Sequence, residues 1–338
     1  MNKQALRADL LLLLTSCIWG FGFVAQRSGM EYVGPFTFNG IRFILGSLSL
    51  LPLILFIGRK KGPVLKQAPG SLVLSSLLAG GCLFIAVTFQ QGGIMFTTAG
   101  NAGFITGLYV VLVPILGVFL GRKTGLPTWI GAGCTLTGLY FLSAAGHLES
   151  INPGDIITAI GAFFWALHVL LIDRLVKNTD PLMLSSGQFA WCGLFSLITA
   201  LGAEPFLGDW VEALNPALRS SGLFSWYSFP ELLTGIGSGA FSGTFLLDSL
   251  IPILYGGLAS VGIAYTLQVV AQQYAPPAHA TIILCLEGCF AAIGGILLLG
   301  EPLGAWTLLG FCLMLSGMLV TQWEVIAGGF GGKDAGNG

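Results

Sequence analysis

Apolar residues run along this chain in blocks of helical length, and the blocks are cut by Gly, Pro and clusters of charge. The runs predict helices near 8–26, 36–57, 70–91, 97–120 and 127–145 in the first half. Five more are predicted near 154–173, 182–202, 249–271, 278–299 and 302–323. Each is continuously apolar instead of alternating, which excludes a membrane β-barrel. A helix needs about 20 apolar residues to cross a bilayer, so the pattern predicts an all-α integral membrane protein with ten transmembrane helices. The first run follows Lys3 and Arg7 as a signal peptide would, but no small-residue cleavage pattern leads into a polar segment. It reads as a permanent span.

Lys and Arg are placed unevenly about these runs. With the N-terminus inside, the cytoplasmic segments hold Lys3, Arg7, Arg59, Lys60, Lys61, Lys66, Arg122, Lys123, Arg174, Lys177 and Lys333. The outside then holds only Arg27 and Arg219, and Arg42 lies within a span. Positively charged loops stay cytoplasmic during insertion, so both termini are expected there.

The second half of the chain matches the first. A shift of 146 residues lays Trp19 on Trp165 and Pro35 on Pro181, and a shift of 178 lays Thr88 on Thr266, Gln90 on Gln268 and Ala102 on Ala280. The shift changes once, where the loop at about 203–248 exceeds its counterpart after the second span. Five spans per copy turn the second copy upside down, which gives two inverted five-helix repeats, the architecture of alternating access. The expected units are 1–146, 147–327 with the outer insert at about 203–248, and a disordered cytoplasmic tail over the Gly-rich 328–338.

Composition narrows the class further. Of 338 residues 54% are hydrophobic and 9% charged, against roughly 25% charged in a soluble domain. A net charge of -1 supplies no basic field for nucleic acid. The seven cysteines, Cys17, Cys82, Cys134, Cys192, Cys285, Cys289 and Cys312, lie in apolar stretches without a CxxC pair, so they read as packing residues, with neither a disulfide framework nor a metal site expected. The expected partners are a small-molecule substrate, the lipid bilayer and protons, with no cofactor; the oligomeric state stays open.

Leu284 to Val320, reading LCLEGCFAAIGGILLLGEPLGAWTLLGFCLMLSGMLV, carries a Glu in the ninth span, an LGE at the junction and a Gly-rich last span. Ile18-Trp19-Gly20-Phe21-Gly22-Phe23 and Arg42 stand in the first two spans. In these features the chain resembles the EamA-type transporters of the drug/metabolite transporter superfamily. The resemblance covers nearly the whole chain and implies ten spans in two repeats in a bacterial inner membrane, with passage of amino acids, nucleosides or other small metabolites. Glu287 and Glu301 occupy the family's two Glu positions. Two departures stand out: Gly288 replaces the Pro usual after the ninth-span Glu, and the first repeat ends Leu120-Gly121-Arg122 instead of LGE.

Charges within spans carry the sharpest functional signal, since each costs about 2.5–3.5 kcal/mol at the bilayer centre on insertion scales. Glu287 lies nine residues into its span, roughly 13 Å deep. Arg42 enters from the other side about six residues, or roughly 9 Å, which brings the two within reach. Glu287 then serves as counter-ion to a substrate amine or as a proton site, with Arg42 as its partner or as a clamp for a carboxylate; the alternative is a structural Arg–Glu pair fixing helix register. Trp19 and Trp165, related by the repeat, would form facing walls for a flat or apolar cargo. Alternatively they are packing residues. His168 sits mid-span as a titratable group or a satisfied core side chain. Asn39 is three residues before Arg42, and Asn101 aligns with His279; all three can line a path or cross-link helices. The insert, with Trp210, Trp226, Tyr227 and Phe229 among Glu204, Asp209, Glu212 and Glu231, reads as an interfacial lid.

A small-molecule permease or exporter is therefore expected, possible proton coupling included, with a lipid-linked sugar flippase as the alternative. A membrane-embedded enzyme needs a nucleophile with a base or clustered carboxylates, and no such set stands out. No GxxxxGK[ST] loop is present for ATP.

Overall fold

In the computed structural model the described residues are 3–30, 32–61, 69–96, 99–143, 153–207, 243–299 and 304–331. Every regular element among them is a helix: α1 (Lys3–Gly29), α2 (Pro35–Lys61), α3 (Pro69–Ile94), α4 (Ala99–Thr106), α5 (Tyr109–Phe119), α6 (Leu126–Ser143), α7 (Pro153–Leu175), α8 (Pro181–Gly202), α9 (Gly243–Leu254), a π-helix (Tyr255–Tyr265), α10 (Thr266–Ala271), α11 (Pro277–Leu284), α12 (Glu287–Leu299) and α13 (Ala305–Gly331). Most of the insert, from 208 to 242, as well as Glu301 and residues 332–338, lies outside the described residues. Residues 328–331 continue the last helix.

Five of these helices, α2, α3, α7, α8 and α11, begin with proline, whose fixed φ suits the first helical position and whose missing N–H leaves no orphan donor there. Asp180 caps α8 by accepting from the N–H groups of Leu182 (2.9 Å) and Met183 (3.1 Å). The matching residue before α2 is Gly34, which has no side chain to offer. Its place is taken in trans by the Glu204 carboxylate, which accepts from Phe36 N–H (2.8 Å), Thr37 N–H (3.0 Å) and the Thr37 hydroxyl. Glu204 is thus a buried helix cap tying the end of α8 to the start of α2.

Two runs expected to be single helices are broken. The run over 97–120 is α4 plus α5, parted at Gly107-Leu108, and the run over 278–299 is α11 plus α12, parted at Cys285-Leu286. Tight i→i+3 bonds bridge both gaps, from Val110 N–H to the Gly107 carbonyl and from Gly288 N–H to the Cys285 carbonyl. The breaks also meet: the Cys285 thiol approaches the Gly107 carbonyl at 3.5 Å. Non-helical backbone at membrane depth persists only where protein re-satisfies it in this way. A third irregularity is the π-helix, an eleven-residue stretch of a form that is rare and gathers at functional sites.

Polarity is inverted relative to a soluble bundle. Arg42 is 2% exposed and Gln188 and His168 0%, whereas Leu55 is 65%, Leu297 71% and Phe119 83% exposed. Among the described residues six helices are long and apolar enough to cross a membrane, at Lys3–Phe23, Pro35–Phe56, Gly70–Ile94, Pro153–Leu175, Pro181–Gly202 and Asp248–Ala271. Apolar faces outward and polar groups inward make this a multi-pass membrane protein, for hydrocarbon is the one solvent in which that arrangement is stable.

Candidate functional site

The inward polar groups converge on a central chamber lined by Trp19, Phe23 and Gln26 of α1, Arg42 of α2, Gln90 of α3, Thr106 and Tyr109 at the first break, and Trp165 and Val169 of α7. Ser260, Tyr265 and Gln268 from the π-helix and α10, with Leu284 and Glu287 at the second break, complete it. The packing around Gly20 explains how α1 reaches this point. A Cβ there would stand 2.7 Å from the Glu287 carbonyl oxygen and 2.8 Å from the Ala291 nitrogen, so only glycine lets α1 and α12 cross this closely at the chamber.

Three aromatic rings set the chamber's shape. Tyr265 lies between the two tryptophans, 4.5 Å from Trp19 at 59° and 5.9 Å from Trp165 at 18°, nearly stacked on the latter. The tryptophans therefore do not face each other as expected; each packs on Tyr265. Trp165 donates its indole N–H to Gln90 Oε1 at 2.6 Å, and Trp19 donates to the Ser260 carbonyl at 3.3 Å. The free volume is about 40 Å³, room for a few waters.

The charged pair is arranged differently from a register-fixing salt bridge. Among the described residues no ion pair joins Arg42 to Glu287. The guanidinium carbon lies over the rings of Phe38 (5.4 Å) and Phe43 (5.0 Å), and Nε has no hydrogen-bond partner. The Glu287 carboxyl, 7% exposed, receives the Tyr109 hydroxyl at 3.4 Å. Gln26 Oε1, Thr106 Oγ1 and Gln268 Oε1 are also buried without a partner. The chamber thus holds a cation, a carboxyl and several neutral acceptors with hydrogen-bonding capacity to spare.

The other sequence candidates stand elsewhere. His168 sits beneath the chamber wall, edge-on to Trp165 at 5.9 Å, with Nε2 2.9 Å from Gln188 Oε1. His279 bonds Asp9 Oδ1 at 2.8 Å, joining the starts of α11 and α1. Asn39 lines a separate cavity. The backbone of Asn101 lies in α4, and its side chain is outside the described residues. Tyr109 was missed, although the 178-residue shift lays it on Glu287; it drew no attention because tyrosine in a span carries no charge penalty.

The EamA-like transporter family's profile matches residues 6–144 and again 152–323. The chain belongs to this family. An "Uncharacterized transporter" of Archaeoglobus fulgidus is 29% identical over 332 residues, covering 95% of this chain and 88% of that protein. The "Uncharacterized inner membrane transporter YedA" of Escherichia coli is 29% identical over 162 residues, 47% of this chain and 50% of its own length. A protein of known crystal structure shares the fold, with a TM-score of 0.69 at 16% identity, covering 94% of this chain and 96% of its own. This EamA-like chain is accordingly a membrane transporter of the drug/metabolite superfamily, and its family and relatives mark a carrier in place of an enzyme.

Proposed function

We propose that this EamA-like protein exports a small zwitterionic metabolite, an amino acid or close relative, from the cytoplasm by alternating access, with Glu287 as the proton-coupling group. The observation that carries this is the presence of one unpaired cation and one carboxyl in a single chamber. A buried charge is costly unless paired, and neither Arg42 nor Glu287 has the other as partner. A cargo ammonium beside Glu287 and a cargo carboxylate on the Arg42 fork satisfy both at once. Trp19, Tyr265 and Trp165 then hold the apolar side chain of the cargo. When the cargo leaves, a proton on Glu287 removes the uncompensated charge.

The reading includes ten spans in two inverted repeats, with both termini cytoplasmic. Its support lies in the chamber, whose lining contains several offset-related pairs. Trp19 and Trp165, Phe23 and Val169, Gln90 and Gln268, Thr106 and Leu284, and Tyr109 and Glu287 are all 146 or 178 apart and all line it. The packing has the same symmetry: α3 against α7 is matched by the π-helix against α1, and α2 against α8 and α6 against α13 are pairs that map onto themselves. The small free volume fits a contracted state that must open to admit cargo.

The test is release of a mixed amino-acid and nucleoside pool from proteoliposomes, with and without a pH gradient, read by mass spectrometry. Wild type should deplete one zwitterionic class faster under the gradient. Glu287→Gln should abolish the gradient's effect, and Arg42→Gln should cut release about tenfold or more, each leaving folded protein. Release of nucleosides alone, or a gradient effect surviving Glu287→Gln, would overturn the proposal.

A further inference from the structure

The shifts of 146 and 178 that align the two halves lay α1 on α7 and the π-helix, Tyr255–Tyr265, on 77–87 of α3. Yet 77–87 is regular α-helix and its counterpart is not. The difference lies in what the neighbouring helix donates. Thr15 and Trp19, one turn apart on α1, bond carbonyls of the π-helix: Thr15 Oγ1 donates to Ala264 at 3.2 Å and the Trp19 indole to Ser260 at 3.3 Å. The Tyr255 hydroxyl returns a bond to the Ile18 carbonyl at 2.8 Å. Side chains that insert into a helix's own ladder make its turns irregular. On α7 the equivalent of Thr15 is Gly161, and on α3 that of Tyr255 is Leu77, so two of these three bonds cannot form there. Trp165 donates instead to the Gln90 side chain at 2.6 Å, and the Phe164 carbonyl takes the Cys82 thiol at 3.5 Å. Gln268, the equivalent of Gln90, is left with Oε1 buried and without a partner.

We infer that Tyr255–Tyr265 has two registers, and that Thr15 and Gln268 are positioning residues that favour opposite ones. Thr15, Trp19 and Tyr255 hold the π register. In the α register, the one its counterpart in α3 keeps, Trp19 passes its N–H from the Ser260 carbonyl to Gln268 Oε1, as Trp165 does with Gln90. The Ser260 hydroxyl then donates to the Ile18 carbonyl, as the Cys82 thiol does to Phe164. Thr15 retains its other acceptor, the Leu11 carbonyl at 2.9 Å. Bonds are traded and not lost, which is the condition for two states to lie close enough in free energy for both to be populated. Passing from i→i+5 to i→i+4 bonding takes up one residue, about 100° of turn. The segment that turns spans the chamber wall. Gly256 at its start packs on Arg42, where a Cβ would stand 3.4 Å from Cδ, and Tyr265 at its end lies between the two tryptophans. A change of register therefore moves the ring that fills the chamber relative to the cation that lines it. That this movement admits cargo rests on the carrier function proposed above; the two registers do not.

The test reads the indole N–H of Trp19 by proton–nitrogen correlation NMR, with the full chain labelled at tryptophan nitrogen and held in phosphatidylcholine nanodiscs. Trp19→Phe assigns its signal and Trp165→Phe that of Trp165. Saturation transfer should reveal a second Trp19 state, shifted towards the Trp165 position because both indoles then donate to a glutamine. Thr15→Val and Tyr255→Phe each remove a bond found only in the π register, so each should raise the population of that state by about threefold or more. Gln268→Met removes the acceptor and should abolish it, with an unfolding temperature no lower than wild type, since Oε1 has no partner to lose. A single Trp19 state in both wild type and Thr15→Val, or a second state that survives Gln268→Met, would overturn the inference. In proteoliposomes Gln268→Met should slow release of the amino-acid pool by about fivefold or more, and undiminished release would overturn the element's part in transport. Two registers with no release from wild type would tell against the proposed function and leave the register change standing.

Discussion

Replacing Glu204 with Ala should destabilise the protein far more than an end-of-helix carboxylate ordinarily would. The side chain is 1% exposed and accepts the N–H groups of Phe36 and Thr37 at 2.8 and 3.0 Å as well as the Thr37 hydroxyl. A lost N-cap costs about 0.5–2 kcal/mol, and hydrogen bonds to a charged group contribute about 1.5–3 kcal/mol each. Thr37 is itself fully buried, so water cannot replace the acceptor. Because these contributions overlap, about 3–5 kcal/mol is expected for Glu204→Ala. Glu204→Gln keeps the acceptor for the two N–H groups but loses the charge at the helix N-terminus and turns the Thr37 hydroxyl from donor to acceptor, about 1–2 kcal/mol in all. The assay is reversible denaturant unfolding in mixed micelles, followed by far-ultraviolet circular dichroism. Gly34 supplies an internal check. A Cβ there would stand 2.7 Å from Glu204 Cγ, so Gly34→Asp alone should be harmful, whereas in the Glu204→Ala background the new Asp can cap α2 locally and recover about 1 kcal/mol. A Glu204→Ala cost within about 1 kcal/mol of zero, or no recovery by Gly34→Asp, would refute the reasoning.

On α6, Gly138→Ala should destabilise by roughly 2 kcal/mol or more, because its Cβ would stand 2.8 Å from the Gly310 carbonyl oxygen and 2.9 Å from the Met314 nitrogen of α13. Gly133→Ala, five residues earlier with nothing within 4 Å, should be neutral or slightly stabilising through helix propensity; equal unfolding midpoints for the two would contradict the packing. Trp165→Phe should cost about 1–3 kcal/mol, since it strands the buried Gln90 Oε1, and should exceed Trp19→Phe, whose bond to Ser260 is longer at 3.3 Å. Asp173 accepts from Arg122 at 2.6 Å and from Lys177 at 3.1 Å. With the Arg122 side chain a third exposed, a double-mutant cycle on Arg122 and Asp173 should return about 1 kcal/mol, and a value several-fold larger would mean that the pair is shielded from solvent.

Legibility in this chain followed the range of the interaction. The apolar blocks and the uneven Lys and Arg placement are local properties, because each span must satisfy its own backbone and each loop carries its own charge across or not. They marked the helices and the membrane before any contact was known, and the Leu284–Val320 segment with the Trp19 motif marked the family. Arg42, Glu287, Trp19 and Trp165 were visible for a related reason: a charge or a repeated indole in hydrocarbon stands out against its neighbours. All four line one chamber.

Tertiary structure decided what turns on rotation and crossing. Asn39 and Arg42, three residues apart, differ by only about 60° around an ideal helix, yet one lines a separate cavity and the other the chamber. Trp165 and His168 divide in the same way between chamber and core. The breaks at Gly107-Leu108 and Cys285-Leu286 fall within apolar sequence that contains neither proline nor charge at the gap. They are stable because the broken segments, 178 residues apart, cover one another. Tyr265 between the tryptophans, the π-helix that delivers it, and Glu204 as a cap for a distant helix have the same origin. Sequence fixes what each residue can bond, and folding alone chooses which partner, many residues away, it meets.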